Sequence, residues 1–377
     1  MANTFTALAP VAYSIAQTVS QEPSAVLDAI NLDFDAKNVA VGDTVYVPVA
    51  PVRTVSTYTP AMTTTAGTDA VATSVGVTIT NRDYADWNLT GEQIRSLQNG
   101  TINQEWMRQI IQQSMRAVRN NAEIVAAAAV KIGASRVVGT AGTTPFASDL
   151  SALVDVRKVL RDNGAPMADL QLITDTAANV NLLKLGIIQQ AYQAGSDAER
   201  RSGNVQRQFG FQISDSAGIS THTKGTGAAY VTSGSTAVGV RDIALVTGTG
   251  TVLAGDVVTF AADTVNKYVN GTAIAAPGTI SLNRPGARVT IATANAMTVG
   301  NNYVPNLAFE RSAIVGVMRA PEIPLGGQVT GVMPISDASG MTYTLVEITG
   351  DGMITYRLHL NYGFKVVQQE HVAMIMG

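Results

Sequence analysis

Residues 101–133 constrain the fold more than any other stretch of this 377-residue chain. Trp106, Met107, Ile110, Ile111, Met115, Val118, Ala122 and Val125 recur at i, i+3, i+4 and i+7, the spacing of one apolar stripe on an α-helix. The opposite side carries Arg108, Gln112, Arg116, Arg119, Asn120 and Glu123. Thr101 and Gln104 have capping-box spacing, in which a hydroxyl and a side-chain amide satisfy free N–H groups at the helix start. Gly133 supplies a stop. At 1.5 Å per residue, about 30 residues span ~45 Å, more than the width of a small domain. The spacing therefore predicts a girder laid across a sheet.

The flanking sequence differs in kind. Leu8, Val11, Ala12, Ile15 and Val19 follow helical spacing, and Pro23-Ser24 opens a short second helix towards Ile30. Both are too short to be stable alone, so they must pack on this chain or on a neighbour. Thr44-Val45-Tyr46-Val47-Pro48-Val49 is strand-like, and residues 74–80 form its return strand. Pro48 and Pro51 lack amide donors, which places this pair at an edge or in a protruding ribbon. Residues 58–73, rich in Thr, Ala and Pro, form a tip too long for an ordinary turn.

Further along, residues 148–161 predict an amphipathic helix through Leu150, Leu153, Val154, Val156 and Val159, stopped by Asn163-Gly164-Ala165-Pro166. Residues 170–174 predict a buried strand. Asp175 or Thr176 caps a helix through Val180, Leu182, Leu183 and Leu185, and residues 190–206 form a polar loop. Helical spacing then vanishes over 222–302. Short strands are expected at 229–232, 242–247, 257–261, 279–282 and 287–292, a small all-β unit interrupting an α/β body. Residues 312–318 return to the body as a strand. Residues 341–348 and 353–360 flank the turn Thr349-Gly350-Asp351-Gly352, and 364–367 and 372–376 complete a meander, with the last strand tied into a sheet.

Composition narrows the function. Charged residues are 14% of the chain, against about 25% in average domains, so little like-charge repulsion opposes self-association. A net charge of -3 gives no electrostatic case for nucleic acid as the main ligand. Arg200, Arg201 and Arg207 sit beside Asp197 and Glu199 in a segment expected to be solvated loop. There is no cysteine, hence no disulfide or thiolate metal site. Neither a signal peptide nor a transmembrane helix is expected. His222, His359 and His371 stand in no metal-ligating spacing. Glu370 and His371 are adjacent on an expected strand, where neighbours point to opposite faces. The G-x-S-x-G elbow and the phosphate-cradling G-x-x-x-x-G-K-[ST] loop are absent. No catalytic, cofactor-binding or metal-ligating residue is assigned.

The order of these parts resembles the major capsid proteins of tailed bacteriophages, with the Hong Kong 97-type shell fold, and more closely the podoviral coat proteins that carry an inserted β-barrel domain. Arg108-Gln109-Ile110 through Val118-Arg119-Asn120-Asn121-Ala122-Glu123, followed by Ala126-Ala127-Ala128, is similar to that family's spine helix. Leu253-Ala254-Gly255-Asp256-Val257-Val258-Thr259-Phe260-Ala261 resembles the Gly-Asp turn and strand of the insertion. Leu307-Ala308-Phe309-Glu310-Arg311-Ser312-Ala313-Ile314 resembles the strand re-entering the body. Gly350-Asp351 and Tyr362-Gly363 lie in the closing sheet.

The resemblance implies an α+β fold with an N-terminal helical arm (1–40), an extended β loop (41–82), a peripheral domain with spine helix 101–133 (83–140), an axial α/β domain (141–221), an inserted all-β domain (222–302) and closing β segments (303–377). It implies a subunit that assembles as hexamers and pentamers into an icosahedral virion shell enclosing double-stranded DNA, built in the host cytoplasm. Its partners would be other copies of itself, a scaffolding protein, a portal and a decoration protein, with weak contact to packaged DNA and no membrane. The extended loop would lap a neighbour, and inter-subunit contacts are expected at Tyr46, Arg53, Tyr58, Val77, Arg116 and Arg119. Two alternatives stand beside this. Residues 38–48 show a slight similarity to the end of a LysM module, which suits a cell-surface or carbohydrate-binding β protein. An enzyme with no recognisable motif would need a polar pocket holding perturbed titratable groups.

Overall fold

The computed structural model describes residues 5–20, 24–34, 40–49, 55, 57, 73–98, 104–186, 207–336 and 340–377. The N-terminal helical spacing forms α1 (Phe5–Ser20) and α2 (Ala25–Ala29), followed by strand β1 (Asn31–Phe34). Ala12, Ile15, Ala16 and Val19 bury one side of α1 in the apolar cluster around the long helix. Strands β2 (Thr44–Val49) and β3 (Thr73–Thr78) pair antiparallel, from Thr44 opposite Thr78 to Val49 opposite Thr73. They form a two-stranded sheet of their own, so Pro48 interrupts no wider ladder.

Strand β4 (Asn81–Thr90) was not expected from the sequence, because its Asn, Asp and Arg residues disfavour a strand. Its signal is the alternation Ala85, Trp87, Leu89, which faces the core. Helix α3 (Gly91–Gln98) begins in a reciprocal capping box: the Thr90 amide donates to Gln93 Oε1 at 3.0 Å, and the Gln93 amide donates to Thr90 Oγ1 at 3.3 Å. Thr101, expected in such a box, lies outside the described residues.

The girder is α4 (Gln104–Gly133), 30 residues long. Met107, Ile111, Met115, Val118, Ala122, Ala126 and Val130 are buried as its spacing requires. Two assignments are corrected. Trp106 is 40% exposed, so the buried stripe starts at Met107. Arg119 and Glu123, read as the solvent side, are 2% and 7% exposed, because α2 packs on that flank. The helix is therefore covered on more of its circumference than one stripe predicts.

Strand β5 (Arg136–Gly139), helix α5 (Ser151–Asp162), strand β6 (Leu170–Thr174), helix α6 (Thr176–Lys184) and strand β7 (Phe211–Asp215) follow. The Asn163-Gly164 stop works as expected. Gly164 sits at φ +81°, and the Ala165 amide donates to the Leu160 carbonyl at 3.0 Å. Asp175 caps α6, accepting from the Ala177 amide at 3.1 Å. Residues 190–206 lie outside the described residues.

The next stretch holds β8 (Ala228–Thr232), β9 (Asp242–Thr249), β10 (Thr251–Val252), β11 (Val257–Phe260), β12 (Asp263–Val269), β13 (Ile274–Ala275), β14 (Thr279–Ser281) and β15 (Ala296–Val299). β10, β12, β13 and β15 were not expected. The strand expected at 287–292 does not form: Ala287 and Ile291 are buried, but Ile291 makes only an isolated bridge to Thr236. Tyr230, Ile243, Phe260, Tyr268, Ile280 and Met297 enclose an apolar cluster drawn wholly from this stretch. Its sheet nevertheless joins the body, where Lys267 and Tyr268 of β12 pair with Val137 and Arg136 of β5.

The chain closes with β16 (Pro305–Glu310), β17 (Ile314–Arg319), β18 (Val329–Ser336), β19 (Thr342–Gly350), β20 (Met353–Val366) and β21 (Val372–Met376). The expected hairpin joins β19 to β20, with Gly350 opposite Met353. β20 is one 14-residue strand where two were expected. Its pairing with β4 up to Tyr362 and with β17 from Asn361 to Val366 spans the expected break, and a Cβ at Gly363 would collide with the Thr78 carbonyl where the ribbon base crosses.

One sheet runs β14-β9-β8-β15-β11-β12-β5-β21-β16-β6-β7. A second runs β1-β17-β20-β19-β18, with β4 on β20. The cluster around α4 draws on both, through Leu358, Leu360 and Tyr362 of β20 and Leu307, Phe309 and Met374 of β16 and β21. Ala373 and Ile375 face the other way, onto the α5 and α6 side. Burial on both faces explains why β21 reads as an unbroken apolar run.

Candidate assembly surfaces

The ribbon β2–β3 has two unlike faces. Val45, Val47 and Val77 turn inward with Ile79 onto Val315 and Val317 of β17. The Lys365 ammonium donates to the Gly76 carbonyl at 2.8 Å, fastening the ribbon base to β20. The outward face carries Thr44, Tyr46, Pro48, Ser74, Gly76 and Thr78, with no charge among them. Tyr46 is 69% exposed. A lone two-stranded ribbon is marginal in water, so its inner face needs this anchorage.

The N-terminal helices are clamped to α4 by polar groups. Arg119 Nε donates to Ser24 Oγ at 2.5 Å, and its Nη atoms donate to the Val19 carbonyl and Asp28 Oδ1, each at 3.4 Å. Asp28 Oδ2 accepts from the Ser24 amide at 3.1 Å. Glu123 Oε1 accepts from Ser216 Oγ at 2.5 Å and from the Val26 amide at 3.3 Å. Burial pushes the Glu123 carboxyl above its ordinary value, against the lowering effect of these bonds.

Between α2, α4 and the end of β7 lies a groove of about 1020 Å³, lined by Ser24, Asp28, Glu123, Arg207, Asp215 and Arg311 among others. Arg207 is tied down locally, donating to the Gly210 carbonyl at 3.1 Å and to the Ala168 carbonyl. Arg200 and Arg201 lie outside the described residues. Among the described residues, no group of three or more His, Cys, Asp or Glu is placed to hold a metal, and no helix is long and apolar enough to cross a membrane.

The histidines have structural surroundings. His222 Nε2 meets Asp256 Oδ1 at 2.8 Å, and its ring lies 5.1 Å from that of Tyr303. Asp256 also accepts from the Leu253 amide at 2.7 Å and the Gly225 amide at 3.0 Å, so it organises its own turn. His371 sits in a 3-10 turn, Gln369–His371, and not in the strand assumed from the sequence. His359 on β20 is buried beside Tyr84. Burial first, then Arg82 and Arg357, lowers its pKa to about 4. The folded state therefore resists protonation, and stability should fall as pH drops from about 6.5 towards about 4. His359→Gln, followed by thermal unfolding across that range, should show a shallower decline than the parent; an identical decline would refute the assignment.

No protein-family model matches the chain, and no curated protein matches it. Solved structures that it resembles include phage capsids. Mycobacterium phage Che8 aligns at a TM-score of 0.48 and 14% identity, over 89% of this chain and 84% of that one. The capsid of cyanophage P-SCSP1u aligns at 0.49 and 10%, over 93% and 86%. A virus-like particle from Pyrococcus furiosus aligns at 0.43 and 8%, over 98% of both chains.

Among the described residues, those expected at inter-subunit contacts do not form one surface. Tyr46 is outward on the ribbon, whereas Val77 on the return strand is fully buried beneath it. Arg53 and Tyr58 lie outside the described residues. Arg116 is half-buried on α4. Arg119 is buried and bonded to α1 and α2 of its own chain, so its guanidinium faces no neighbour here. Helical spacing places Arg119 on a polar side but carries no information about which later-packed segment covers it. Glu123 was missed for the same reason; its only sequence signal is its position one turn beyond Arg119.

Proposed function

We propose that this chain is a shell subunit, the major capsid protein of a tailed bacteriophage, which assembles with copies of itself into a closed icosahedral capsid of hexamers and pentamers around double-stranded DNA. The observation that carries this is the ribbon. It belongs to neither large sheet, its base is anchored by Val77 and Ile79, and its outward face is uncharged. Charge depletion is what an interface core requires. A neighbour lapped by this ribbon would cover Tyr46 and Pro48, and Arg53 would fix the register through its charge. The low overall charge of the chain supports the same conclusion, since broad repeated contacts form without long-range repulsion.

In this arrangement α4 is the spine, α1 and α2 form the arm (1–40), residues 222–302 are the inserted domain, and 83–140, 141–221 and 303–377 make up the peripheral and axial body. A scaffolding protein, a portal and a decoration protein are the further partners. The subunits would assemble in the host cytoplasm, with weak contact between the inner surface and DNA.

Negative-stain electron microscopy of the purified protein, alone and with a candidate scaffolding protein, tests this. Closed shells, tubes or sheets of capsomers are expected. A monodisperse small oligomer under both conditions at high concentration would overturn it. Replacing residues 50–72 by a short turn should leave a folded subunit that fails to close shells. Complete shells from that variant would show that the ribbon is not the seam.

A further inference from the structure

Glu123 ties together three parts of the chain. It projects from α4, its Oε1 accepts from the Val26 amide of α2 at 3.3 Å, and the same oxygen accepts from Ser216 Oγ, just past β7, at 2.5 Å. Its Oε2 is buried and has no hydrogen-bond partner. A charged carboxylate with one oxygen buried and bare is costly, whereas protonation removes the charge and leaves a neutral hydroxyl, whose burial costs less. We propose that the Glu123 carboxyl is a proton-operated latch that holds α2 against α4 and the turn at residues 214–218.

The charged groups around the groove are Asp28 on α2, Arg119 on α4, Arg207 ahead of β7, Asp215 at its end, and Arg311 after β16. Asp28 opposes a charge on Glu123. Burial acts in the same direction more strongly, while Ser216 and the Val26 and Leu27 amides oppose the rise. With α2 docked, the carboxyl holds its proton to higher pH than its ordinary value of 4.5. With α2 released, the carboxyl meets water and returns towards that value. Docking is therefore strongest at pH 4.5 and below, weakens as pH rises through the docked pKa, and is level beyond it.

Hydrogen exchange of the Val26 and Leu27 amides, corrected for intrinsic rate, reads this directly. From pH 4.5 upward, wild-type protection should fall by at most about tenfold per pH unit, the slope of one proton, and then level off. Glu123→Gln keeps an acceptor for Val26 but cannot ionise, so its protection should not change with pH in this window. Asp28→Asn should retain the decline. Flat protection in the wild type, or an undiminished decline in Glu123→Gln, would overturn the latch. Should Glu123→Gln fail to fold, Ser216→Ala decides. It removes a bond that favours the charged form, so the decline should run on to higher pH before it levels, and an unchanged levelling point would overturn the proposal.

Discussion

Val118→Asp is expected to yield insoluble protein. Val118 is 3% exposed on the apolar side of α4, within the cluster that also holds residues of α1 and of both large sheets. The nearest cation in sequence, Arg119, already bonds Ser24, Val19 and Asp28 and faces another flank. An aspartate at 118 would lack a partner, at a cost of about 4 kcal/mol or more. That is a large share of the roughly 5–15 kcal/mol that stabilises an ordinary domain. Val118→Ala separates charge from lost packing: it should remain soluble and lose only about 1–2 kcal/mol. The solubility of the two variants after expression, with the unfolding midpoint of the alanine form, checks this. Soluble Val118→Asp with an unchanged midpoint would refute the placement of the helix.

Arg119→Ala is expected to lower the unfolding midpoint sharply and to loosen α1 and α2 before the rest of the chain. Its guanidinium serves three acceptors on Val19, Ser24 and Asp28. Losing one partner of a fully buried pair costs about 3–5 kcal/mol. The Asp28 side chain is 49% exposed and keeps its bond to the Ser24 amide, so the expected loss here is smaller, about 2–3 kcal/mol. Arg119→Lys should recover little, because an ammonium cannot span the positions that the planar fork reaches. Denaturant unfolding followed by hydrogen exchange over residues 11–29 measures both effects. An alanine variant with wild-type protection in α1 and α2 would show that the clamp lies elsewhere.

Both variants act on α4, and the helix shows how far local patterning reaches. Its length, its Met107-to-Val118 stripe and its stop at Gly133 follow from spacing that any observer of the chain can read. So do the α5 stop at Gly164, the Asp175 cap and the pairing of β2 with β3. Each helix feature depends on residues within a few positions of one another, and β2 and β3 are consecutive strands along the chain. What failed to show was non-local. β4 hides in a polar sequence because one edge pairs with β20, more than 260 residues later. Two strands expected at 353–360 and 364–367 are one, because β4 and the distant β17 pair across the expected break.

The surfaces divide in the same way. The sequence by itself determined that a ribbon of few charges, a long amphipathic helix and a stretch of short strands occur in that order. Periodicity and propensity act through neighbours along the chain. Only the tertiary structure decided that Arg119 and Glu123 turn inward to hold α2, that Val77 is buried while Tyr46 stays out, and that the strands of 222–302 join the body sheet through β12 and β5. Whether a polar side chain meets water or a partner depends on which distant segment arrives to cover it. Burial and hydrogen bonding are properties of the packed chain, and no local window contains them.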